Sequence, residues 1–394
     1  MKYKIIYIHQ RPYPYNQNFY ELDSDYYFYF GHGALFDMHR DELFRNTYDF
    51  EICRGEVGVK KLKTKIVNGT KCLIFPAYHF YRIGTISFSL LKYLLTLAKK
   101  EKIIIHYTAS PHTYEFYIIT FLLGSKIPIF VTHQGGPNPY YKLQKKFRLG
   151  TFISYNIEKH ISKYVFKYFS GAYYEIEYFK KITSSSKVYD KPTWGVDLEN
   201  YKPIDKLEAR KLLNLPENKK IILLFGKLNK YRGILNAIKV RDTLKKEFDV
   251  DILNVGSDET CPDYEIAKKN GVILRGIVPY ERMKYYFSAG DVYLYLTEGE
   301  ENFYYAGTGI APLESLACNT PIVANTLHNF PFIDFTKAGV YAKTIDEAVE
   351  GIKYIFRNPE RLSNTRSIIE QYFDWHVITR NLFNFYNDAI KIFY

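Results

Sequence analysis

A loop and helix in the second half of the chain have residue types that could bind a phosphorylated ligand. The loop residues are Gly307, Thr308, Gly309, Ile310, Ala311 and Pro312. A helix N-terminus presents backbone N–H groups and a partial positive charge, so a loop without bulky side chains lets a phosphate approach closely. Glu314 falls one turn into the predicted helix, where its carboxylate could accept hydrogen bonds from hydroxyl groups. An ordinary glycine turn is the alternative interpretation, and this segment alone does not decide between them.

A second segment of strand, loop and helix carries two cations. Gly226 ends a predicted strand, and Lys227 and Arg232 flank the loop that follows it. Two cations beside a helix N-terminus can neutralise a diphosphate and stabilise it as a leaving group, because negative charge grows there in the transition state. Solvated loop cations are the alternative. They become less favoured because a second glycine loop lies in the same half of the chain.

His133 is the candidate site residue of the first half. It ends a predicted strand and is followed by Gln134 and a pair of glycines. The carboxyl end of a strand in a parallel sheet faces the ligand crevice. A lone histidine is more often structural than catalytic, but this position favours a ligand contact.

Composition and charge limit the class of protein. The chain has 394 residues, of which 47% are hydrophobic and 24% charged, which suits two globular domains and not a disordered chain. The formal net charge of +12 predicts attraction to anionic partners such as nucleotide diphosphates or acidic lipids. Four cysteines show no spacing typical of a zinc site or a disulfide framework, and they are Cys53, Cys72, Cys261 and Cys318.

The apolar runs are too short to cross a membrane. Residues 85–98 contain a lysine, and residues 116–131 are interrupted by Gly124 and Pro128, so neither run reaches the roughly 20 apolar residues of a spanning helix. The first nine residues resemble a buried strand and not a signal peptide. We therefore expect a cytoplasmic protein, either soluble or peripheral on the cytoplasmic face of the membrane.

Short β-rich runs alternate with helix-length segments, which predicts an α/β protein with doubly wound parallel sheets. In the first half we predict strands at residues 5–9, 50–53, 72–75, 103–107, 129–133 and 171–175. In the second half we predict strands at residues 221–225, 251–255, 272–275, 292–296, 321–324 and 340–342. The domain boundary is predicted near residue 200, giving an N-terminal domain of residues 1–200 and a C-terminal domain of residues 201–369. A helix from about residue 370 to residue 394 is predicted to cross back onto the first domain.

Two aromatic-rich segments could contact further partners. The connection of residues 10–33 is unusually long, and we interpret it as an acceptor-recognition loop or an interdomain flap. Residues 140–169 interleave lysines and aromatic residues in a predicted amphipathic helix. Such a helix could lie on an anionic membrane. A crossover helix with a solvated basic face is the alternative that periodicity favours.

Five segments follow the motifs of one enzyme family. They are Gly195-Val196-Asp197 with Tyr201 and Pro203, Gly226-Lys227-Leu228 with Arg232-Gly233, Gly276-Ile277-Val278-Pro279 with Ala289-Gly290-Asp291-Val292, residues 307–323, and Phe373-Asp374-Trp375 with Tyr386. Together they resemble the retaining glycosyltransferases of family 4, which have the GT-B fold. The resemblance covers residues 195 to about 390. In the first half it is limited to strand order and to His133 at the position of the family's crevice histidine.

The resemblance implies a role for most of the candidate residues and shows one departure. Lys227 falls on an arginine of the family motif and Arg232 on a lysine, so both charges remain. Glu314 matches the glutamate associated with the nucleotide ribose. The glutamate associated with the donor sugar falls on Ala306, and the preceding acidic segment looks like an insertion that could supply a substitute. The candidates for that substitute are Glu298, Glu300 and Glu301.

The family implies two facing Rossmann-like domains and a transferase with neither a metal nor a cofactor. The donor would be a nucleotide-diphosphate sugar, and the acceptor a glycan, a glycolipid or another molecule. Lys227 and Arg232 would stabilise the leaving group, residues 307–312 would bind phosphate or sugar, and His133 would contact the donor sugar. A sugar-nucleotide epimerase of the same fold and a catalytically impaired nucleotide-sugar-binding protein are the alternatives. Nucleic-acid binding would rest on charge alone and is not expected.

Overall fold

The computed structural model describes residues 2–9, 42–67, 69–81, 83–108, 111–133, 138–193, 195–229, 232–297, 309–326 and 333–394. The chain divides into two compact units. Unit 1 consists of Met1–Thr193 and His376–Tyr394, and unit 2 of Trp194–Trp375. The predicted acceptor-recognition loop at residues 10–33 lies outside the described residues.

Unit 1 is built on a mostly parallel sheet. Its described strands are β1 (Tyr3–Ile8), β2 (Tyr48–Val57), β3 (Lys63–Val67), β4 (Thr70–Phe80), β5 (Gly84–Ile86), β6 (Ile103–Thr108), β7 (Ile129–His133), β8 (Lys167–Ser170) and β9 (Val188–Tyr189). They lie in the order β3-β4-β2-β1-β6-β7-β8-β9, and β5 pairs with β4. Only β3 and β5 among these are antiparallel to their partner. The strand order reverses between β1 and β6, which is where doubly wound sheets bind ligands.

The described helices of unit 1 differ from the sequence prediction in two places. They are α1 (Glu42–Thr47), α2 (Phe88–Leu97), α3 (Tyr114–Leu123), α4 (Pro139–Lys145), α5 (Leu149–Ile161) and α6 (Tyr173–Ile182). The predicted strand at residues 171–175 is wrong, because β8 ends at Ser170 and the buried residues Ile176 and Phe179 follow helical spacing. Residues 140–169 are not one helix, because Lys146 and Arg148 have extended backbones that separate α4 from α5.

Unit 2 contains a parallel sheet that matches the prediction closely. Its described strands are β10 (Lys220–Phe225), β11 (Val250–Val255), β12 (Ile273–Arg275), β13 (Val292–Tyr295), β14 (Ile322–Ala324) and β15 (Gly339–Tyr341). Their order is β12-β11-β10-β13-β14-β15, so it reverses between β10 and β13. The described helices are α7 (Lys206–Leu212), α8 (Ile234–Leu244), α9 (Tyr264–Lys269), α10 (Met283–Ala289), α11 (Ile310–Ala317), α12 (Ile345–Arg357) and α13 (Arg366–Tyr372).

The last helix, α14 (Trp375–Phe393), belongs to unit 1 from His376 onward. Tyr386 fixes it to the sheet through a buried chain of polar groups. Its hydroxyl is 2.9 Å from that of Tyr7 and hydrogen bonds to Nδ1 of His106, whose Nε2 is 2.7 Å from Thr132 Oγ1. Burial lowers the pKa of His106 to about 3, so its ring is neutral. Within the described parts of the chain, no helix combines the length and apolarity needed to cross a bilayer.

Asp291 connects three elements of unit 2. It precedes β13, and its buried carboxylate accepts hydrogen bonds from Lys206 Nζ at 2.8 Å and from Arg210 Nη2 at 2.7 Å on α7. It also accepts a hydrogen bond from the Ile221 N–H of β10 at 2.7 Å. Burial acts to raise the pKa of Asp291, but Lys206, Arg210 and the Ile221 N–H lower it more. The carboxylate therefore stays charged and holds α7 against the sheet.

Replacing Asp291 by alanine should destabilise the protein strongly. The change leaves the Arg210 guanidinium buried without its carboxylate, and breaking such a pair costs about 3–5 kcal/mol. Asp249→Ala is the matched control, because the Asp249 side chain is 68% exposed and pairs with Lys219 at 3.4 Å. We expect the control to change the free energy of unfolding by less than about 1 kcal/mol. Urea unfolding measures both variants, and equal losses would contradict the anchoring role.

Candidate functional site

Glycines let two loops approach each other at the carboxyl edge of the unit 2 sheet. Gly226 follows β10 with φ +91°, and its N–H donates to Val255 O at 2.8 Å. Gly256 follows β11 with φ +97°. A Cβ on Gly256 would lie 3.3 Å from Gly226 Cα. Because L residues rarely adopt such φ values, both positions favour glycine.

The helix α8 begins in direct contact with the neighbouring strand end. Its N-cap is Gly233, with φ +75°. A Cβ on Gly233 would lie 1.9 Å from Leu296 O, just after β13. No other residue fits there without moving the backbone. The N-terminus of α8 is thereby fixed at the point where the strand order reverses.

The two cations predicted for this loop lie beside the glycines. A Cβ placed on Gly226 would be 3.7 Å from Arg232 Nη1, so the exposed guanidinium covers this glycine. The Arg232 N–H donates to Asn229 O at 2.9 Å and to Asn229 Oδ1 at 3.0 Å, which forms the turn before α8. Lys227 is half-buried, and burial lowers its pKa against the opposing effects of Cys261 and Asp258.

Ser257 is a loop-positioning residue that the sequence analysis missed. Its Oγ donates to Gly226 O at 2.8 Å and accepts from the Leu228 N–H at 2.9 Å. The buried hydroxyl therefore fixes the backbone on both sides of Lys227. Its position directly after β11, at the same sheet edge as Gly226, is the signal that could have identified it.

Glu314 lies on α11, and the N-cap of this helix is a glycine. Gly309 is the N-cap with φ +75°, and Ile310, Ala311 and Pro312 form the first turn. Gly307, Thr308, Ala306 and the candidate substitutes Glu298, Glu300 and Glu301 lie outside the described residues. Glu314 itself is half-buried and lies near the buried Tyr201 hydroxyl, whose pKa is raised by burial and by the Glu314 charge.

Arg366 fixes the other end of α11. Its Nη1 donates to Ala317 O at 3.1 Å and to Tyr201 O, and its Nη2 donates to Leu198 O at 3.1 Å. Tyr201 is thus held by its backbone carbonyl at Arg366 and by its hydroxyl, which donates to Met283 Sδ at 3.5 Å. These contacts keep Glu314 and the N-terminus of α11 in a fixed position relative to the sheet.

The buried Tyr293 hydroxyl, on β13, lies within electrostatic range of Arg232 from one predicted group and of Glu314 from the other. Burial raises the pKa of this hydroxyl, and the charges of Arg232 and Glu314 act on the same hydroxyl in opposite directions. Both charged side chains therefore lie near Tyr293, on β13. The structure brings Gly226, Lys227, Arg232 and Glu314 to one edge of the unit 2 sheet, as their positions after strands predict.

His133 lies in unit 1, at the end of β7, and its side chain is buried. Its Nδ1 is 4.0 Å from Glu175 Oε1, and its ring centre is 5.1 Å from that of His112. Burial lowers the pKa of His133 to about 4, with Glu175 opposing and His112 adding to the effect. His133 is therefore neutral at neutral pH and can donate from one ring nitrogen while the other accepts.

His112 forms an ion-paired cluster beside His133. Its Nδ1 is 3.0 Å from both carboxylate oxygens of Glu158, and its Nε2 is 3.0 Å from Glu175 Oε1. Burial acts to lower the pKa of His112, but the two glutamates raise it to about 10. Glu158 also accepts from the hydroxyls of Tyr117 and Tyr178. His112 is thus a buried imidazolium whose two N–H groups both donate to carboxylates.

The same cluster consists of residue types that bind metal ions, but a proton on His112 also explains its contacts. Ligand atoms of His112, His133 and Glu175 lie within 4.8 Å of one another. A ring nitrogen and a carboxylate oxygen at 3.0 Å share a proton, and Asn138 Nδ2 donates to Glu175 Oε2 at 3.0 Å. A protonated His112 therefore accounts for the observed contacts. That the protein needs no metal remains a prediction.

His112 and Glu158 were not predicted as site residues, and Glu175 was predicted to lie in a strand. His112 and Glu158 are 46 residues apart, so only the folded chain shows that they pair. A signal was present, because Glu158 and Glu175 are acidic residues at helical spacing from apolar residues that face the core. A buried carboxylate requires a partner of opposite charge or several hydrogen-bond donors.

Comparisons with known proteins agree with this architecture. Residues 205–372 match the family model described as glycosyl transferases group 1. The uncharacterized glycosyltransferase MJ1607 of Methanocaldococcus jannaschii is 21% identical over 213 residues, and the match spans 50% of this chain and 52% of that protein. The chain thus aligns with only about half the length of this relative.

Solved structures resemble almost the whole chain. Sucrose-phosphate synthase from Thermosynechococcus elongatus has a TM-score of 0.69 at 16% identity and covers 99% of this chain and 100% of its own. Anabaena Alr3699/HepE, solved in complex with UDP, has a TM-score of 0.68 at 14% identity and covers 98% of this chain and 100% of its own. The predicted GT-B fold is confirmed by these matches.

The two histidines of unit 1 should titrate on opposite sides of the ordinary histidine pKa of about 6.5. His112, with a pKa of about 10, should carry protons on both ring nitrogens at about pH 8. His133, with a pKa of about 4, should remain neutral when the pH falls to about 5.5. NMR of the protein labelled with ¹⁵N at histidine measures both states, with His112→Gln and His133→Gln variants assigning the signals. Joint titration near 6.5 would contradict the ion-paired cluster.

Proposed function

We propose that this chain is a retaining glycosyltransferase, because residues 205–372 match the family model described as glycosyl transferases group 1. It transfers a hexose from a nucleotide-diphosphate sugar, held by unit 2, to a glycan, glycolipid or other acceptor recognised mainly by unit 1. One observation carries this proposal. The Arg232 guanidinium covers Gly226, with Nη1 3.7 Å from where a Cβ on Gly226 would lie, at the end of β10 and beside the start of α8.

The loop of residues 226–233 suits the diphosphate of the donor. Gly226 has no side chain that would keep a phosphate from the backbone, and Lys227 and Arg232 supply two positive charges. When the bond between the sugar and the diphosphate breaks, negative charge grows on the phosphate oxygens. Cations already in place stabilise that charge without reorganisation. This arrangement supports catalysis that needs no metal.

Glu314 suits the ribose of the nucleotide. Its carboxylate is half-buried on a helix that Arg366 fixes at the opposite end. An ionised carboxylate offers two oxygens with several lone pairs, which suits the two ribose hydroxyls. The first turn of α11 would receive a phosphate or the sugar, since Gly309 and Ala311 present little side-chain bulk there.

The anomeric configuration of the donor sugar is retained if the acceptor attacks from the face that the nucleotide diphosphate leaves. The bond from the anomeric carbon to phosphate oxygen breaks, a bond to the acceptor oxygen forms, and the acceptor proton passes to the departing phosphate. His133, neutral because burial lowers its pKa to about 4, would hydrogen bond to the donor sugar without adding charge. We place this transfer in glycan biosynthesis, in the cytoplasm or on the cytoplasmic face of the membrane.

Two other functions use the same residues of unit 2. A nucleotide-sugar-binding protein would bind the donor without transferring or hydrolysing it, and Ala306 at the position of a family glutamate favours this alternative. A sugar-nucleotide epimerase would convert the donor without any acceptor. Product analysis by mass spectrometry and chromatography separates these outcomes from transfer.

The chain should be stabilised by one class of nucleotide-diphosphate sugar. UDP-glucose is the first donor to test, because Anabaena Alr3699/HepE was also solved in complex with UDP-glucose. A ligand at about 100 times its dissociation constant stabilises the folded state by about 2.7 kcal/mol, which raises the melting temperature measurably. The screen compares UDP, GDP, ADP and dTDP sugars, each with and without excess EDTA. A shift that requires added divalent metal would contradict metal independence.

Substitutions should separate leaving-group stabilisation from nucleotide binding. Arg232→Gln and Lys227→Gln should each lower kcat by about 10²–10³, because each removes a charge that acts mainly on the developing diphosphate. Glu314→Gln should instead raise the donor KM by about tenfold, since it weakens hydrogen bonds to a part of the donor that does not react. Release of free nucleotide, with water or a glycan as acceptor, measures both constants.

Lys239→Gln is the matched control, because Lys239 is exposed on α8 beyond the loop. Its kinetic constants should equal those of the unchanged protein. Near-normal kcat in both Arg232→Gln and Lys227→Gln would rule out their assignment to the leaving group. Loss of donor binding in all variants with normal folding would point to a general electrostatic role instead.

A further inference from the structure

A surface of unit 1 is both apolar and basic and takes no part in the sites described above. It consists of residues 144–153, from the end of α4 into α5, and we call it the α4–α5 tip. Its large apolar side chains are exposed, with exposed fractions of 68% for Phe147, 66% for Leu149, 46% for Phe152 and 44% for Ile153. These four side chains therefore contribute little to the core of unit 1, although each would be favoured inside it.

The apolar side chains of the tip form one patch. Leu149, Phe152 and Ile153 are spaced i, i+3 and i+4, so they share a face of α5. The ring of Phe147, in the connection before α5, lies 6.0 Å from that of Phe152. The buried residues of α5 are Glu158 and Ile161, further along the helix. The first turns of α5 thus direct an apolar stripe away from the core.

Cations border this patch in the sequence, and the segment that forms it contains no acid. Residues 139–157 contain no Asp or Glu, and their cations are Lys142, Lys145, Lys146 and Arg148. The last three of these are exposed, Lys146 and Arg148 lie on either side of Phe147 in the sequence, and Leu149 follows Arg148. Long basic side chains can keep their charge in water or among phosphates while their stems cover apolar surface. Apolar residues bordered by Lys and Arg in this way are typical of surfaces that bind anionic lipid.

We propose that the α4–α5 tip docks unit 1 onto the surface of an anionic phospholipid membrane. Phe147, Leu149, Phe152 and Ile153 enter the boundary between headgroups and acyl chains, and Lys145, Lys146 and Arg148 bind lipid phosphates. An acidic protein surface would satisfy the cations but would leave four apolar side chains against charged groups. An anionic bilayer satisfies both. The inference does not depend on the reaction catalysed, because it concerns lipid binding alone.

Vesicle co-sedimentation of the full chain tests the proposal. The protein should sediment with vesicles of phosphatidylcholine and phosphatidylglycerol, but not with phosphatidylcholine alone, and added salt should weaken binding because it screens the charges. The triple variant Lys145→Gln, Lys146→Gln, Arg148→Gln should bind about 100-fold more weakly, at about fivefold for each cation near an anionic surface. The double variant Phe147→Ser, Phe152→Ser should also lose binding.

Matched controls come from exposed residues of unit 2. The triple variant Lys245→Gln, Lys246→Gln, Lys269→Gln removes the same charge elsewhere, and Leu207→Ser with Leu212→Ser removes exposed apolar side chains. Both controls should bind vesicles as the unchanged protein does. Equal losses in tip and control variants, or no binding to phosphatidylglycerol vesicles, would overturn the proposal.

Two further measurements test explanations other than lipid contact for a loss of vesicle binding. Sedimentation velocity without lipid reports whether the Phe147→Ser, Phe152→Ser variant turns a dimer into a monomer, which would make the tip an interface between copies and overturn the proposal. Tryptophan fluorescence of a Phe147→Trp variant does not depend on a loss of function. Its emission should shift to shorter wavelength with phosphatidylglycerol vesicles relative to the unchanged protein. An unchanged spectrum would also overturn the proposal.

Discussion

The backbone contact between Gly233 and Leu296 is the constraint on which the unit 2 site depends. Because a Cβ on Gly233 would lie 1.9 Å from Leu296 O, only a glycine allows the N-terminus of α8 to meet the end of β13. This contact fixes the start of α8 and so limits where Arg232, the residue before it, can lie. Gly226 and Gly256 make a similar approach between the ends of β10 and β11. The positions of Lys227 and Arg232 are therefore set by close backbone contacts that only glycine allows.

Unit 1 fixes its candidate residue by charge instead of by backbone contact. His112 lies between Glu158 and Glu175, and the two 3.0 Å contacts hold three elements together around His133. The arrangement also separates the pKa values of the two histidines, because a charged His112 opposes protonation of His133. His133 is therefore neutral at the pH where His112 is charged. A neutral imidazole beside an uncharged sugar is consistent with a binding role and not with acid catalysis.

The sequence predicted unit 2 better than unit 1, for physical reasons. Each strand of unit 2 is a short apolar run with a clear break, and the six predicted strands differ from the observed ones by at most one residue at either end. The edge strands β3, β5 and β9 were not predicted, because they are short, partly polar and stabilised by pairing with a neighbour. Residues 171–175 were wrongly predicted as a strand because aromatic residues favour strands locally. In the folded chain, packing of Ile176 and Phe179 against the core stabilises a helix instead. Contacts such as that of His112 with Glu158 join distant segments and have no local signal.

The helix α5 connects the surface of unit 1 to its buried cluster. Its first turns carry Phe152 and Ile153 outward, and two turns later Glu158 pairs with His112 inside. A buried carboxylate held by an imidazolium and two tyrosine hydroxyls cannot shift without losing several charge-assisted hydrogen bonds at once. The helix is therefore a rigid link, so any ligand that orients the α4–α5 tip also orients the cluster beside His133. The same constraint explains why α5 can expose apolar residues at one end: its position is fixed by charge at the other end, and the tip is not needed for the core.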